Sequence, residues 1–270
     1  MRNRLPSSIL LCLLLSPVAF TQTPTLGPGA PQLYQKGMNN LMGVGVSRND
    51  LNAVDYLRRS AELGYPPAQV ALGYLYDTGS VVSQDSGQAA DWYKKAAKQD
   101  DRLGDWLLGR LYYTGTGIPR DLSAAESWLQ KAASQGDPFG QYLLGLIKLE
   151  RNDYPRAAEW FRNAAMQGLP QAQAQLGELF KRGRGVTEDK FEAYVWLLVS
   201  FDAGSHTVAA DLAALEGELG ANRVDEAKSK ARDLEQTSSR AVVSRGCSGW
   251  PGEFNLVPTP PPPDIQRFCR

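Results

Sequence analysis

The chain has 270 residues, of which 43% are hydrophobic and 21% are charged, an ordinary composition for a globular protein with a buried core. Lysine plus arginine and aspartate plus glutamate both number 29. General nucleic-acid binders and binders of acidic membranes carry a basic excess, so we expect no nucleic-acid partner.

The first 21 residues have the form of a secretory signal peptide. Arg2 and Arg4 precede the short apolar run "ILLCLLL", and small residues follow it. The run is too short to cross a bilayer, and no later run is long enough. The alternative interpretation is a buried N-terminal helix. A signal peptide over 1–21, followed by a linker over 22–31, predicts an exported protein, periplasmic or secreted, that is not an integral membrane protein.

From about residue 32 the sequence repeats with a period near 36 residues. Trp92, Trp128, Trp160 and Trp196 are separated by 36, 32 and 36 positions, and a column of glycines keeps the same register. Such a period indicates a stack of similar structural units. The sequence predicts five of them, spanning residues 32–66, 67–102, 103–138, 139–170 and 171–206.

Each unit reads as two helices joined by a glycine-containing loop. In the second unit Leu72 and Leu75 begin one helical apolar stripe, and Ala89 and Trp92 begin another. One such hairpin cannot bury its apolar face alone, whereas stacked hairpins can. The sequence therefore predicts an all-α fold, a right-handed α/α solenoid of five repeats closed by capping helices over 207–236. Four second helices are preceded by an aspartate able to cap them: Asp85, Asp121, Asp153 and Asp189.

The last segment, residues 237–270, changes character. The run "PTPPPP" predicts extended polyproline II structure. Two cysteines in an exported chain indicate a disulfide between Cys247 and Cys269. The tail as a whole is interpreted either as mobile or as a proline-rich ligand of another protein.

The stretch "YYTGTGIPRD" in the third unit resembles a glycine-rich phosphate loop, with Arg120 as a counter-charge. A nucleotide-binding loop follows a strand and occurs once, but this stretch recurs between the two helices of other units. We therefore predict that Gly115 and Gly117 turn the chain and that Asp121 caps the next helix. No nucleotide or other cofactor is expected.

Reactive side chains are sparse. His206 is the only histidine, and both a zinc site and a catalytic triad need partners that its neighbourhood lacks. Two carboxylate pairs, Glu150 with Asp153 and Glu188 with Asp189, have the residue types of a glycoside hydrolase. Since Asp153 and Asp189 are already assigned as helix caps, we expect no catalytic residue and no metal ligand.

The tandem pattern resembles the Sel1-like repeats, relatives of tetratricopeptide repeats. The third unit matches nearly throughout, from Leu108 and Gly109 through the loop glycines to Trp128 and the "KAA" that follows. The resemblance implies a scaffold for protein partners, without catalytic activity, in envelope signalling or assembly. An adaptor in the endoplasmic reticulum of a eukaryote is a further interpretation.

The resemblance also raises an enzymatic alternative, a cell-envelope hydrolase acting on β-lactams or peptidoglycan. Some cysteine-rich proteins of this family are described as binding or hydrolysing β-lactams. The usual serine nucleophile motif is Ser-x-x-Lys, and no serine here has lysine three positions later. The regularly spaced cysteine pairs of that subgroup are also missing, so we do not expect the activity in this chain.

A partner would meet the first helices along the concave face of the solenoid. Variable positions there bring together Tyr74, Trp106, Arg110 and Tyr142, and aromatic residues and arginine dominate the binding energy of interfaces. We predict that these four residues contact a protein partner. The alternative is that Trp106 and Tyr142 pack between adjacent first helices.

Overall fold

The computed structural model describes residues 29–245, with side chains through residue 237. The predicted signal peptide and the Cys247–Cys269 disulfide therefore lie outside the described residues. Every regular element in 29–245 is a helix, and the predicted solenoid fold is confirmed. None of these helices combines the length and the apolar character that a bilayer crossing requires.

Ten helices form five hairpins, each with a first and a second helix. The first helices are α1 (Ala30–Met42), α3 (Pro66–Thr78), α5 (Arg102–Thr114), α7 (Pro138–Glu150) and α9 (Pro170–Arg182). The second helices are α2 (Asp50–Glu62), α4 (Ser86–Ala97), α6 (Leu122–Ser134), α8 (Tyr154–Met166) and α10 (Lys190–Asp202). A 3₁₀ turn (His206–Val208) then leads to α11 (Ala209–Leu219) and α12 (Ala221–Arg245).

The second helices begin at capping side chains. Asp85, Asp121 and Asp189 each accept a hydrogen bond from a backbone N–H of the first turn, which satisfies a donor that the helix leaves unpaired. Asp153 stands at the same position but makes no such bond, so its predicted capping role is wrong. The loop before it is shorter, its backbone is not extended, and Pro155 removes one amide of the first turn.

Glycines let the two helices of a hairpin approach closely. A Cβ atom on Gly109 would lie 2.6 Å from a side-chain carbon of Leu129, and one on Gly145 would lie 2.5 Å from the ring of Phe161. Neither position has room for a side chain. The glycine column of the sequence is therefore the contact line inside each hairpin.

Neighbouring hairpins pack through a column of buried leucines: Leu72, Leu108, Leu144 and Leu176. At the first helix of the stack the corresponding position is occupied by Lys36, which is exposed together with Gln32 and Gln35. The outer face of α1 is thus polar where later first helices are apolar. This is the composition of a capping repeat, a feature that was not predicted from the sequence.

At the other end α11 and α12 cover the apolar helix α10. Leu212, Leu215 and Ala227 are buried against it. Polar contacts surround this core: Lys190 pairs with Glu218 at 2.6 Å, and the Tyr194 hydroxyl donates to Glu216 at 2.6 Å. The two helices take the place that a sixth repeat would occupy.

The repeats are closer together on one side of the solenoid than on the other. In the second to fourth repeats α3 approaches α5 and α5 approaches α7, whereas the second helices of adjacent repeats approach each other less closely. The first helices therefore form the inner layer of the curved stack and the second helices form the outer layer. Partner-binding residues were predicted on this inner layer.

Candidate functional site

The four predicted partner-binding residues all lie on the inner layer, but they offer little surface. Tyr74 and Trp106 are 2% exposed and Arg110 is 8% exposed, while Tyr142 is half-buried. Side chains buried this deeply cannot make direct contact with a partner unless the repeats separate. The cluster as a whole remains a prediction, and only Tyr142 is placed where a partner can reach it.

Trp106 connects two neighbouring repeats, whereas Tyr142 packs against the second helix of its own repeat. Trp106 of α5 stacks on Phe139 of α7, with ring centroids 5.2 Å apart. Tyr142 lies 5.8 Å from the ring of Phe161, and burial raises the pKa of its hydroxyl. Trp106 therefore occupies the position that the alternative interpretation gave it, between adjacent first helices.

Arg110 belongs to a buried ionic contact between the second and third repeats. Its guanidinium pairs with the carboxylate of Asp77 on α3. The hydroxyl of Tyr93 on α4 donates to the same carboxylate at 3.4 Å. Burial, reinforced by the charge of Asp77, holds the pKa of Tyr93 well above its ordinary value. The arrangement joins three helices and leaves the guanidinium little room to meet a partner.

The glycine-rich loop of the third repeat is seated on the second repeat. Gly115 and Gly117 both have positive φ angles, 74° and 73°. A Cβ atom on Gly117 would lie 2.4 Å from the backbone of Ser86 at the start of α4. Arg120 donates to the carbonyl of Tyr113 at 2.8 Å and to Glu150 at 2.6 Å. The loop therefore packs the third repeat onto the second. Arg120, the predicted counter-charge for a phosphate, is already paired with Glu150.

The same contact recurs in the fifth repeat and is missing from the first. A Cβ atom on Gly185 would lie 2.2 Å from the backbone of Tyr154. Around Gly45, no atom of residues 29–245 would lie within 4 Å of such a Cβ. Val44 and Val46 beside it are consequently about half exposed. This apolar edge was not predicted from the sequence, although the repeat alignment, in which the loop belongs to the first of the five matched repeats, indicates it.

The other reactive side chains are dispersed. His206 is exposed and its ring meets Phe201 edge-on, with centroids 5.0 Å apart. Burial would raise the pKa of Glu150, but hydrogen bonds from Tyr113 and Arg120 outweigh it and lower that pKa. Asp153 pairs with Arg156 at 3.1 Å. No group of three or more His, Cys, Asp or Glu side chains within the part of the chain that the structure describes could hold a metal ion.

A cleft of about 490 Å³ opens between α10 and α12. Its walls carry both signs of charge, which favours no single class of ligand. Its lining residues are Leu198, Asp202, Asp225, Lys228, Ala231 and Arg232.

The repeat geometry matches a known family. The model of the Sel1 repeat matches five times, at residues 33–65, 66–101, 103–137, 139–169 and 170–205. The chain belongs to the Sel1 repeat family. Sel1 repeat proteins are protein-interaction scaffolds, so the family points to binding of a protein partner.

Two solved Sel1-type structures are similar to this chain. A Sel1 repeat protein from Oxalobacter formigenes is 35% identical over 69% of this chain, with a TM-score of 0.59. A protective antigen present in uropathogenic Escherichia coli strains is 25% identical over 85% of this chain, with a TM-score of 0.51. The present chain spans 55% and 56% of the lengths of these two chains. No curated protein sequence is similar enough to count as a relative.

Proposed function

We propose that this Sel1 repeat protein is an exported scaffold that holds a protein partner in the cell envelope, in signalling or in assembly. The observation that supports this most is the uninterrupted stack of five hairpins, which builds one long curved surface from repeating units. The side chains that resembled parts of a reactive site stabilise the fold instead. Asp121 and Asp189 cap helices, and Arg120 is paired with Glu150.

The surface proposed for the partner is the half-exposed part of the inner layer. Tyr142, Leu146 and Leu149 on α7 are half-buried apolar or aromatic side chains on one first helix. They lie on the first helix of the fourth repeat, where a bound segment would also contact the neighbouring repeats. Half-buried apolar side chains of this kind lose further water contact when a partner covers them.

Two matched variants test this surface. Leu146→Glu places a charge on the inner layer, and Met166→Glu places the same charge on an exposed position of the outer helix α8. Each serves as bait for proteins of the native cell envelope, followed by mass spectrometry and by calorimetry with the purified partner. We expect the unmodified chain and Met166→Glu to recover the same protein and Leu146→Glu to lose it. Equal binding by both variants would place the interface elsewhere.

The proposal of export has its own test. Residues 1–21 are fused to an alkaline phosphatase that lacks a leader and folds only after export. Phosphatase activity and a processed N-terminus in mass spectrometry are expected. An inactive, unprocessed fusion would contradict export. The relative from uropathogenic Escherichia coli is a protective antigen, which supports a location that antibodies reach.

A turnover assay separates the scaffold from the hydrolase. The purified chain is incubated with a chromogenic β-lactam and with peptidoglycan fragments, and product formation is compared with a buffer control. A scaffold releases no product above this control. Sustained turnover that follows the protein through purification would replace the proposed function.

A further inference from the structure

A column of polar side chains is buried at the starts of the first helices. It comprises the residue four positions before the contact glycine in repeats two to five: Gln69, Asp105, Gln141 and Gln173. Three members are glutamines and one is an aspartate. Since buried polar groups need hydrogen-bond partners, the partners of the glutamines show what this position requires.

The glutamines connect the ends of neighbouring second helices. The side-chain N–H of Gln69 donates to the carbonyl of Ala61 at 3.1 Å, and its oxygen accepts from Gln99 at 2.9 Å. Gln173 likewise donates to the carbonyl of Ala165 at 3.2 Å. Gln69 and Gln173 therefore use a donor directed at the preceding repeat. Gln69 and Gln141 use an acceptor, while the oxygen of Gln173 has no partner among the described residues.

Asp105 meets only half of this requirement when it is ionised. Its Oδ2 accepts from Gln135 at 3.1 Å, as the oxygen of Gln69 accepts from Gln99. Its Oδ1 is buried and has no hydrogen-bond partner among the described residues, and the whole residue is 0% exposed. An ionised carboxylate is an acceptor only, whereas a protonated one carries an O–H donor. One proton would supply the donor that the column uses elsewhere.

The charged groups around Asp105 oppose one another: Lys131 favours its ionised form, whereas Asp100 and Asp101 disfavour it. Lys131 of α6 is the nearby cation, but it also faces Asp100, at the end of α4, at 3.4 Å. Asp101, the cap of α5, adds another negative charge. Arg102 of α5 is engaged with the buried Asp137, at 2.6 Å. Burial is the dominant influence, and it raises the pKa of Asp105 to about 7 despite Lys131.

We propose that Asp105 is protonated in the folded chain and makes the contact between the second and third repeats a proton-dependent joint. This contact is stable in acid and weakens once the carboxyl ionises. In the unfolded chain an aspartate loses its proton near pH 3.9. Between that pH and about 7 the folded state holds one proton more than the unfolded state, so stability falls as the pH rises. Below this window and above it, Asp105 contributes no pH dependence.

Equilibrium unfolding of the full mature chain in urea, at pH 5 and at pH 8, tests the joint. One extra bound proton changes the unfolding constant about tenfold per pH unit, hence about 100-fold between pH 5 and about 7. We expect the unfolding constant of the unmodified chain to rise about 100-fold more between these two pH values than that of Asp105→Gln. The same pH dependence in both proteins would overturn the proposal.

A transfer variant controls for damage to the fold. Adding Gln69→Asp to the Asp105→Gln chain moves the aspartate to the equivalent position of the second repeat, and we expect the pH dependence to return. If Asp105→Gln does not fold, NMR titration of the Asp105 carboxyl carbon in the unmodified chain decides the matter. A midpoint near 7 supports the joint, and a midpoint near 4 refutes it.

Discussion

Replacing Gly117 by alanine isolates the contact that seats one repeat loop on the repeat before it. The natural control is Gly45→Ala in the first repeat. Both glycines occupy the second glycine position of their loops, and both have φ angles near +70°, 73° and 70°. They differ in surroundings, because only Gly117 faces the backbone of Ser86.

The two substitutions share one cost and differ in another. A left-handed backbone costs an alanine about 1–2 kcal/mol relative to glycine, partly offset by the lower entropy of the unfolded chain. At Gly117 the new Cβ would also lie 2.4 Å from Ser86, about 1 Å inside ordinary van der Waals contact. Overpacking of this kind typically costs a further 1–3 kcal/mol. We expect losses of about 1 kcal/mol for Gly45→Ala and about 3 kcal/mol for Gly117→Ala.

Urea unfolding followed by circular dichroism at 222 nm measures both losses. The comparison is valid if both variants keep the m-value of the unmodified chain, because that slope reports the surface exposed on unfolding. Gly185→Ala provides a second case, since its Cβ would lie 2.2 Å from Tyr154. Equal losses for Gly45→Ala and Gly117→Ala would refute the reasoning, since the glycines would then serve only to turn the chain.

Four further predictions use the same unfolding measurement. Leu108→Ala removes a fully buried side chain and should cost about 2–5 kcal/mol. Lys36→Ala, at the equivalent exposed position of α1, should change stability by less than about 0.5 kcal/mol, and a large loss there would contradict the polar cap. Arg110→Met leaves Asp77 buried without its cation and should cost about 3–5 kcal/mol, and adding Asp77→Asn should recover part of this loss. If the double variant is no more stable than Arg110→Met, the ion pair is not the cause. Arg120→Ala breaks a partly exposed pair and should cost less than about 1 kcal/mol; a larger cost would mean that the loop depends on this arginine.

The hairpins and their stacking could be predicted because their signals are local and recur. A contact-line glycine appears in each of the five repeats and the tryptophan in four of them. This recurrence outweighs the irregularities of a single unit. The predicted capping role of Asp153 was wrong because the local sequence of its repeat departs from the shared pattern. Its repeat is the one with a shortened loop, so the shared pattern did not apply to its backbone.

Burial on the inner layer could not be read from helical periodicity. The period tells which side of a helix faces its own hairpin, but the exposure of Tyr74 and Trp106 depends on how closely adjacent repeats approach. That approach is set by contacts between repeats, such as Trp106 with Phe139. The polar column containing Asp105 was missed for the same reason, because its partners come from the ends of two different second helices.

Hydrogen exchange on the complex with the captured partner tests the central claim most directly. If this Sel1 solenoid is a scaffold that binds through its inner layer, amide protection should increase along α5, α7 and α9. The outer helices α6 and α8 should be unchanged. Protection confined to the outer helices, or no protection by any captured protein, would contradict the account.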